Sequence, residues 1–374
     1  MGGSMHHIIN NEKKINSIAI GGWFTKGSFF DRVGKEGEHH FLEHIIFNIP
    51  YVKEQTLKFK ESGLVINAFT SQELMCFYVL CIKDNFSEAY NFIYNLLNEK
   101  FDLSKDVSFE NEKLIIKREI EYHYNYVEEI KKQLLLQMFE NSCPNFNIMG
   151  NIESVENITQ YDLIDIYDSF FTGDKFITIV GDINKISLSN NAYYKSEINT
   201  NVFKDIDVIG KNKYLIDNYD CEYYYYGLSQ FFHKVHRNEG LVYSEYIKDQ
   251  LFNKLREEYG LTYRINTANM NLHSGLITFW IFKIRKQDLG ISQDIIKKIF
   301  SQKINLQEME KHRQQLRTKN MIQSDNATSE MLSLGYRNTI LTGEDPDVCN
   351  FEEFIKYLES REEDPYQRVI GIRT

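Results

Sequence analysis

The sequence predicts an α+β chain made of two successive units with the same order of elements. Strand-like stretches with period-two patterning alternate with long helical stretches over the 374 residues. The order strand, helix, strand, helix, strand in the first half returns in the second. A polar, Asn-rich stretch at 187–213 reads as a linker between residues 1–186 and 214–374. In the first unit Ile15–Gly22 alternates as a strand, a helix covers residues 40–47, and a strand starts at Asn67. A helix over Phe109–Ile120 and a strand ending at Gly181 follow. In the second, a strand over Tyr223–Gly227 leads into a helix over Leu241–Glu257. Strands over Tyr263–Asn269 and Gly275–Phe282 follow, then helices over Gln287–Phe300 and Leu306–Ser324, then a closing strand at Arg368–Ile372. The halves share no evident sequence identity, so the repeat is one of element order; it is not a solenoid repeat with a period of about 20–50 residues.

Composition agrees with a folded chain of two domains: 42% of residues are apolar and 26% charged. The 26 Phe and 24 Tyr suit core positions and a peptide-lining surface, and only four prolines argue against long disordered linkers. No apolar run reaches the ~20 residues that span a bilayer, and no membrane partner is expected. The net charge of −10, without a Lys/Arg-rich run, argues against nucleic acid as a partner. The acidic excess would attract basic peptides, though solubility is the simpler account. Cys76, Cys81, Cys143, Cys221 and Cys349 are odd in number and lack paired metal spacing, which fits a reducing, cytoplasmic setting. Cys76 and Cys81 read as core residues of a strand. The start of the chain lacks the pattern of a secretory signal; Met1–Ser4 read as added residues ahead of a natural start at Met5.

The most chemically loaded stretch is His40-Phe-Leu-Glu43-His44, an H-x-x-E-H motif. Residues four apart share a helix face, so both histidines can reach one metal ion. Glu43 lies on nearly the same face and can act as a base without being a ligand. The flanking Phe41, Leu42, Ile45, Ile46 and Phe47 imply burial, where unpartnered polar groups are costly. The five residues alone also admit a plain solvated face. A third ligand must come from elsewhere. The helix over Phe109–Ile120, with Ser104 as its expected N-cap, places Glu112 and Glu119 two turns apart on one face, 68 and 75 residues beyond His44. Glu121 falls on the opposite side of that helix, whereas His123 lies one turn on from Glu119 as a further ligand candidate.

With this pairing the chain resembles the pitrilysin family of zinc metallopeptidases, especially its short members akin to mitochondrial processing peptidases. Several segments carry the resemblance. Asn67-Ala-Phe-Thr-Ser is similar to the family's substrate-pairing strand. Gly150–Thr159, Asp162–Phe171 and Phe176–Asp182 resemble the run into the first domain's last strand, and Leu255–Tyr263 resembles L-R-E-x-x-G-L-x-Y. The resemblance implies two α/β sandwich domains forming half of a clam-shell chamber. It implies Zn2+ held by His40, His44 and Glu119, with Glu43 as general base and Glu112 behind the ligands. It further implies Arg256 and Tyr263 on the substrate, and Asn67, Ala68, Phe69 and Ser71 along the bound peptide.

The expected activity is zinc-dependent hydrolysis of peptides or unfolded segments in an enclosed chamber, with dedicated leader-peptide removal or peptide maturation as its narrower form. The alternative is a heterodimer subunit serving mainly in substrate binding. A homodimer, or a heterodimer with a related chain, is expected. Departures from the family pattern are His39, where a third imidazole would crowd the metal, and Asn48-Ile-Pro50, which ends the motif helix.

Overall fold

The computed structural model describes residues 7–104, 108–139, 145–183, 198–203, 205–206, 208–210, 214–216, 220–341, 348–361 and 365–372. Met1–Ser4, Cys143 and most of the stretch at 187–213 lie outside the described residues. The first half runs β1 (His7–Glu12), β2 (Ser17–Phe24), α1 (Glu38–Asn48), α2 (Pro50–Glu61), β3 (Val65–Thr70), β4 (Met75–Ile82), α3 (Phe86–Asn98), α4 (Phe109–His123), α5 (Tyr126–Phe139), α6 (Ile152–Asn157), α7 (Gln160–Phe170) and β5 (Lys175–Gly181). The second runs β6 (Tyr214–Ile216), β7 (Tyr223–His233), α8 (Arg237–Leu251), β8 (Ile265–Leu272), β9 (Gly275–Arg285), α9 (Leu289–Ser301), α10 (Leu306–Ser324), α11 (Ala327–Arg337), α12 (Phe351–Arg361) and β10 (Tyr366–Gly371). A π-helical segment, Phe252–Glu258, extends α8.

Each half builds one five-stranded sheet. The first has the order β1-β5-β2-β4-β3 and the second β6-β10-β7-β9-β8. In both, the outermost strand next to the half's last strand runs parallel to it and every other pairing is antiparallel. The repeat is therefore one of strand order. It leaves β3 and β8 as matching edges.

Strand alternation sends the first sheet's side chains to two cores. Ile18, Ile20, Phe24, Phe77, Val79, Ile177 and Ile179 face the helices that include α1, α3 and α7. Ala19, Trp23, Cys76, Phe176 and Val180 face Ala327, Met331 and Leu334 of α11. That second layer needs a close approach: a Cβ on Gly335 would lie 2.1 Å from the Trp23 ring. In the second sheet Tyr226, Leu228, Trp280 and Phe282 pack with Ile247, Ile296, Met309 and Phe354. Cys76 and Cys81 are buried free thiols.

The compact units are not contiguous in sequence. One comprises Met1–His123, Pro144–Phe203 and Met321–Thr342; the other comprises Tyr124–Cys143, Lys204–Asn320 and Gly343–Thr374. Thus α5 belongs with the second sheet and α11 with the first, an exchange that a linear division at 187–213 does not anticipate.

Pro50 ends α1 and opens α2 at a position where its missing N–H costs nothing. Ser104 does not cap α4, which begins at Phe109; its hydroxyl bonds Asp102 instead (2.5 Å). No helix among the described residues is long and apolar enough to cross a membrane.

Candidate metal centre

Two helices carry the site, and apolar packing sets their distance. Phe41 of α1 stacks on Phe109 of α4 with ring centroids 4.9 Å apart, and Ile116 is fully buried in the same core. That contact turns the Glu112–Glu119 stripe of α4 toward the polar face of α1. His44 receives both acids: its Nδ1 lies 3.3 Å from Glu112 Oε2 and its Nε2 3.4 Å from Glu119 Oε2. His40 Nε2 lies 3.9 Å from the same Glu119 oxygen.

One ligand atom from each of His40, His44 and Glu119 fits within 4.8 Å of the others. Tetrahedral zinc with bonds near ~2 Å spaces its ligands by about 3.4 Å, so this donor set suits the ion after a small contraction. The chemistry of the donors fits as well. With Nδ1–H donated to Glu112, His44 leaves Nε2 bare for a metal. His40 Nδ1 is buried with no hydrogen-bond partner among the described residues.

The electrostatics separate the two imidazoles. Burial, reinforced by the neighbouring His44, pushes His40 down to about 4, which keeps it neutral and ready to ligate. Burial opposes charge on His44 too, but Glu119, Glu43 and Glu112 outweigh it and hold that ring above its usual value. The bond to His44 holds the Glu119 carboxyl below its ordinary range.

Glu43 is raised, chiefly by burial, and held back by a hydrogen bond from Thr70. The Thr70 hydroxyl donates to Glu43 Oε2 at 2.6 Å. Thr70 was absent from the sequence-derived site, although the signal was there. Period two from Ile66 and Ala68, which pack on the helix side of β3, places Thr70 on the face that meets α1.

His39 does not crowd the centre, contrary to expectation. It sits about 100° around α1 from His40, with Nδ1 2.6 Å from Asp31 Oδ1 and its ring against Phe170. His123 comes within 3.9 Å of the other Glu119 oxygen but is half-exposed and outside the three-residue cluster. Glu121 is exposed.

The edge strand β3 offers backbone more than side chains. Asn67 is exposed, and Ala68 N–H donates to its Oδ1 (2.8 Å). Phe69 instead packs edge-on to Trp23 on the α11 side. Ser71 closes the β3–β4 turn, its hydroxyl bonded to both N–H and C=O of Leu74. In the second unit the guanidinium of Arg256 lies 4.9 Å from the Tyr263 ring, bringing that pair together, with Tyr263 82% exposed. Arg256 stands on the π-helical segment, a rare geometry that often marks functional positions.

Residues 7–149 match the family model described as insulinase (peptidase family M16). The beta subunit of the mitochondrial-processing peptidase of Dictyostelium discoideum is 30% identical over 184 residues, which are 47% of this chain and 39% of that relative. An uncharacterized zinc protease, YmxG, of Bacillus subtilis is 25% identical over 183 residues, 47% of this chain and 44% of the relative. The matched regions thus span less than half of these relatives' length. A crystal structure of a peptidase M16 inactive domain from Pseudomonas fluorescens superposes with a TM-score of 0.75, covering 98% of this chain and 95% of that one at 13% identity. The chain resembles the M16 peptidases in sequence over residues 7–149 and shares their fold over nearly its whole length.

Proposed function

We propose that this M16-like chain is a zinc-dependent endopeptidase acting on short peptides or unfolded segments. The observation that carries the reading is the convergence of His40, His44 and Glu119 beside a half-buried carboxylate, Glu43, which shares α1 with the two histidines. Held by His40, His44 and Glu119, a zinc ion would supply Lewis-acid chemistry toward the scissile carbonyl and the attacking water. Glu43 takes the proton from that water and returns it to the leaving amine. The Thr70 hydroxyl fixes which Glu43 oxygen faces the reaction, and Glu112 holds the His44 tautomer. The free edge of β3 pairs with the peptide backbone as an added strand, so side-chain preference is weak. Arg256 and Tyr263 are assigned to substrate carbonyls, Tyr263 as an oxyanion donor.

A dimer, with itself or with a related chain, encloses the substrate. A dedicated leader-peptide protease is the narrower form of this reading. The rival reading, a partner that mainly binds substrate, does not require Glu43 and a complete ligand set together.

The test compares Glu43→Gln with His44→Ala on a peptide library, with products read by mass spectrometry and zinc by metal analysis. Glu43→Gln should retain zinc and lose hydrolysis by about 10²–10⁴-fold; His44→Ala should lose both. Full zinc occupancy in His44→Ala, or wild-type turnover in Glu43→Gln, refutes the assignment.

A further inference from the structure

The two histidine ligands are held in different ways. Glu112 orients His44 through the ring's Nδ1. Among the described residues His40 has no such partner: its Nδ1 is buried and unbonded. The placement of His40 therefore depends on the backbone of the first turn of α1. That turn has an unusual anchor. Gly37 precedes it in the left-handed region (φ 97°) and caps nothing with a side chain. The loop needs glycine there, since a Cβ would lie 2.5 Å from Met149 O.

Asp31 does the capping from outside the helix. Its fully buried carboxylate accepts from Gly37 N (2.7 Å) and Asn145 Nδ2 (2.9 Å) on one oxygen, and from His39 N (3.1 Å) and His39 Nδ1 (2.6 Å) on the other. A second link runs in parallel. Arg32 donates through Nη2 to the buried Glu38 carboxylate (2.6 Å) and reaches Asp162 of α7 (3.1 Å). Only the Asp31 link, however, grips the residue adjacent to His40 by both backbone and ring.

We propose that Asp31 and His39 are positioning residues that set His40 for metal binding, Asp31 fixing the first turn of α1 and the His39 ring locking that carboxylate in place. This rests on the zinc reading above. A purely structural clamp would change stability and leave metal affinity alone; a positioning pair changes affinity at equal stability.

The experiment measures zinc affinity of the full chain by chelator competition at fixed pH, beside metal-free melting and the visible spectrum of the cobalt-substituted form. Asp31→Asn and His39→Phe should each weaken zinc by about 10–100-fold, as losses behind a ligand typically do. His39→Asn, whose Nδ2 can stand where Nδ1 stood, should restore most of that affinity. Asn326→Ala removes the N-cap of α11 on the other face of the sheet; it should lower the melting temperature without moving zinc affinity or the cobalt bands. Wild-type affinity in both His39→Phe and Asp31→Asn, or a loss no larger than in Asn326→Ala at matched melting temperature, overturns the proposal. If Asp31→Asn does not fold, the His39→Phe and His39→Asn pair decides. A wild-type chain that binds no zinc removes the zinc reading and this inference together. Wild-type binding with unaffected variants removes the inference alone.

Discussion

Replacing Thr70 by Val removes one hydroxyl and leaves the shape of the β-branched side chain. The lost bond is short (2.6 Å), charge-assisted and formed by a residue only 8% exposed. Hydrogen bonds to charged groups contribute about 1.5–3 kcal/mol, so roughly 2 kcal/mol is lost from the ionised form of Glu43. The sign follows from the two opposing effects on this carboxyl. Burial raises its pKa and the Thr70 bond lowers it, so deletion leaves burial unopposed. The pKa of Glu43 should therefore rise further in the Val variant.

If Glu43 is the base, the acid limb of kcat/KM moves to higher pH. Well above the limb the rate should recover toward wild type, and zinc content should not change. The metal-free fold supplies an independent check. A carboxyl whose folded pKa is raised adds stability that is lost as pH rises through that value. The Val variant should therefore lose more melting temperature between acid and neutral pH than the wild type does. Peptide hydrolysis across pH, with metal analysis and melting curves, reads all of these. An unmoved acid limb, or a loss of rate independent of pH, refutes Glu43 as a base tuned by Thr70.

The same electrostatics predict proton release on zinc uptake. With His40 near 4 and His44 above its usual value, uptake at about pH 6 should displace about one proton, and affinity should fall about tenfold per pH unit below the His44 pKa. Calorimetry in buffers of different ionisation enthalpy that finds two protons would contradict this separation. Gly335→Ala tests the α11 layer. The added Cβ lies 2.1 Å from a Trp23 ring that is stacked on Phe176 and bonded to Thr178. Overpacking of about 1–3 kcal/mol should exceed the gain of about 1 kcal/mol in helix propensity. Gly290→Ala in α9, where no atom lies within 4 Å of the new Cβ, should be neutral or stabilising, and equal melting temperatures for the two variants would refute the packing argument. For the chamber, light scattering should give a dimer, alone or after a related chain is added, that cuts short peptides and spares folded proteins. A monomer that cuts folded surfaces equally well contradicts it.

What was legible in the sequence is what local periodicity determines. Four-residue spacing puts His40 and His44 on one face, seven-residue spacing does the same for Glu112 and Glu119, and period-two alternation marks stretches such as Ile15–Gly22 and Gly275–Phe282 as strands. What escaped depends on contacts distant in sequence. The amphipathic faces of α5 and α11 are satisfied by any apolar sheet face of suitable width. Which sheet each one covers is decided by close-approach positions such as Gly335 against Trp23, some 300 residues apart. Thr70 was within reach, since period two already assigns it to the face of α1. Asp31 was not, because its role depends on a left-handed Gly37 and on Asn145, more than a hundred residues away. His39 shows why adjacency misleads. One residue along a helix is about 100° of rotation, enough to carry an imidazole from the face shared by His40 and His44 to the side where Asp31 waits. A motif thus specifies which donors share a face, while the surrounding fold specifies how firmly each is aimed. For His44 the aim comes from Glu112, on the helix that also brings Glu119. For His40 it comes from a loop carboxylate with no place in the motif, so the two ligands should respond differently to substitution even though the spacing makes them look equivalent.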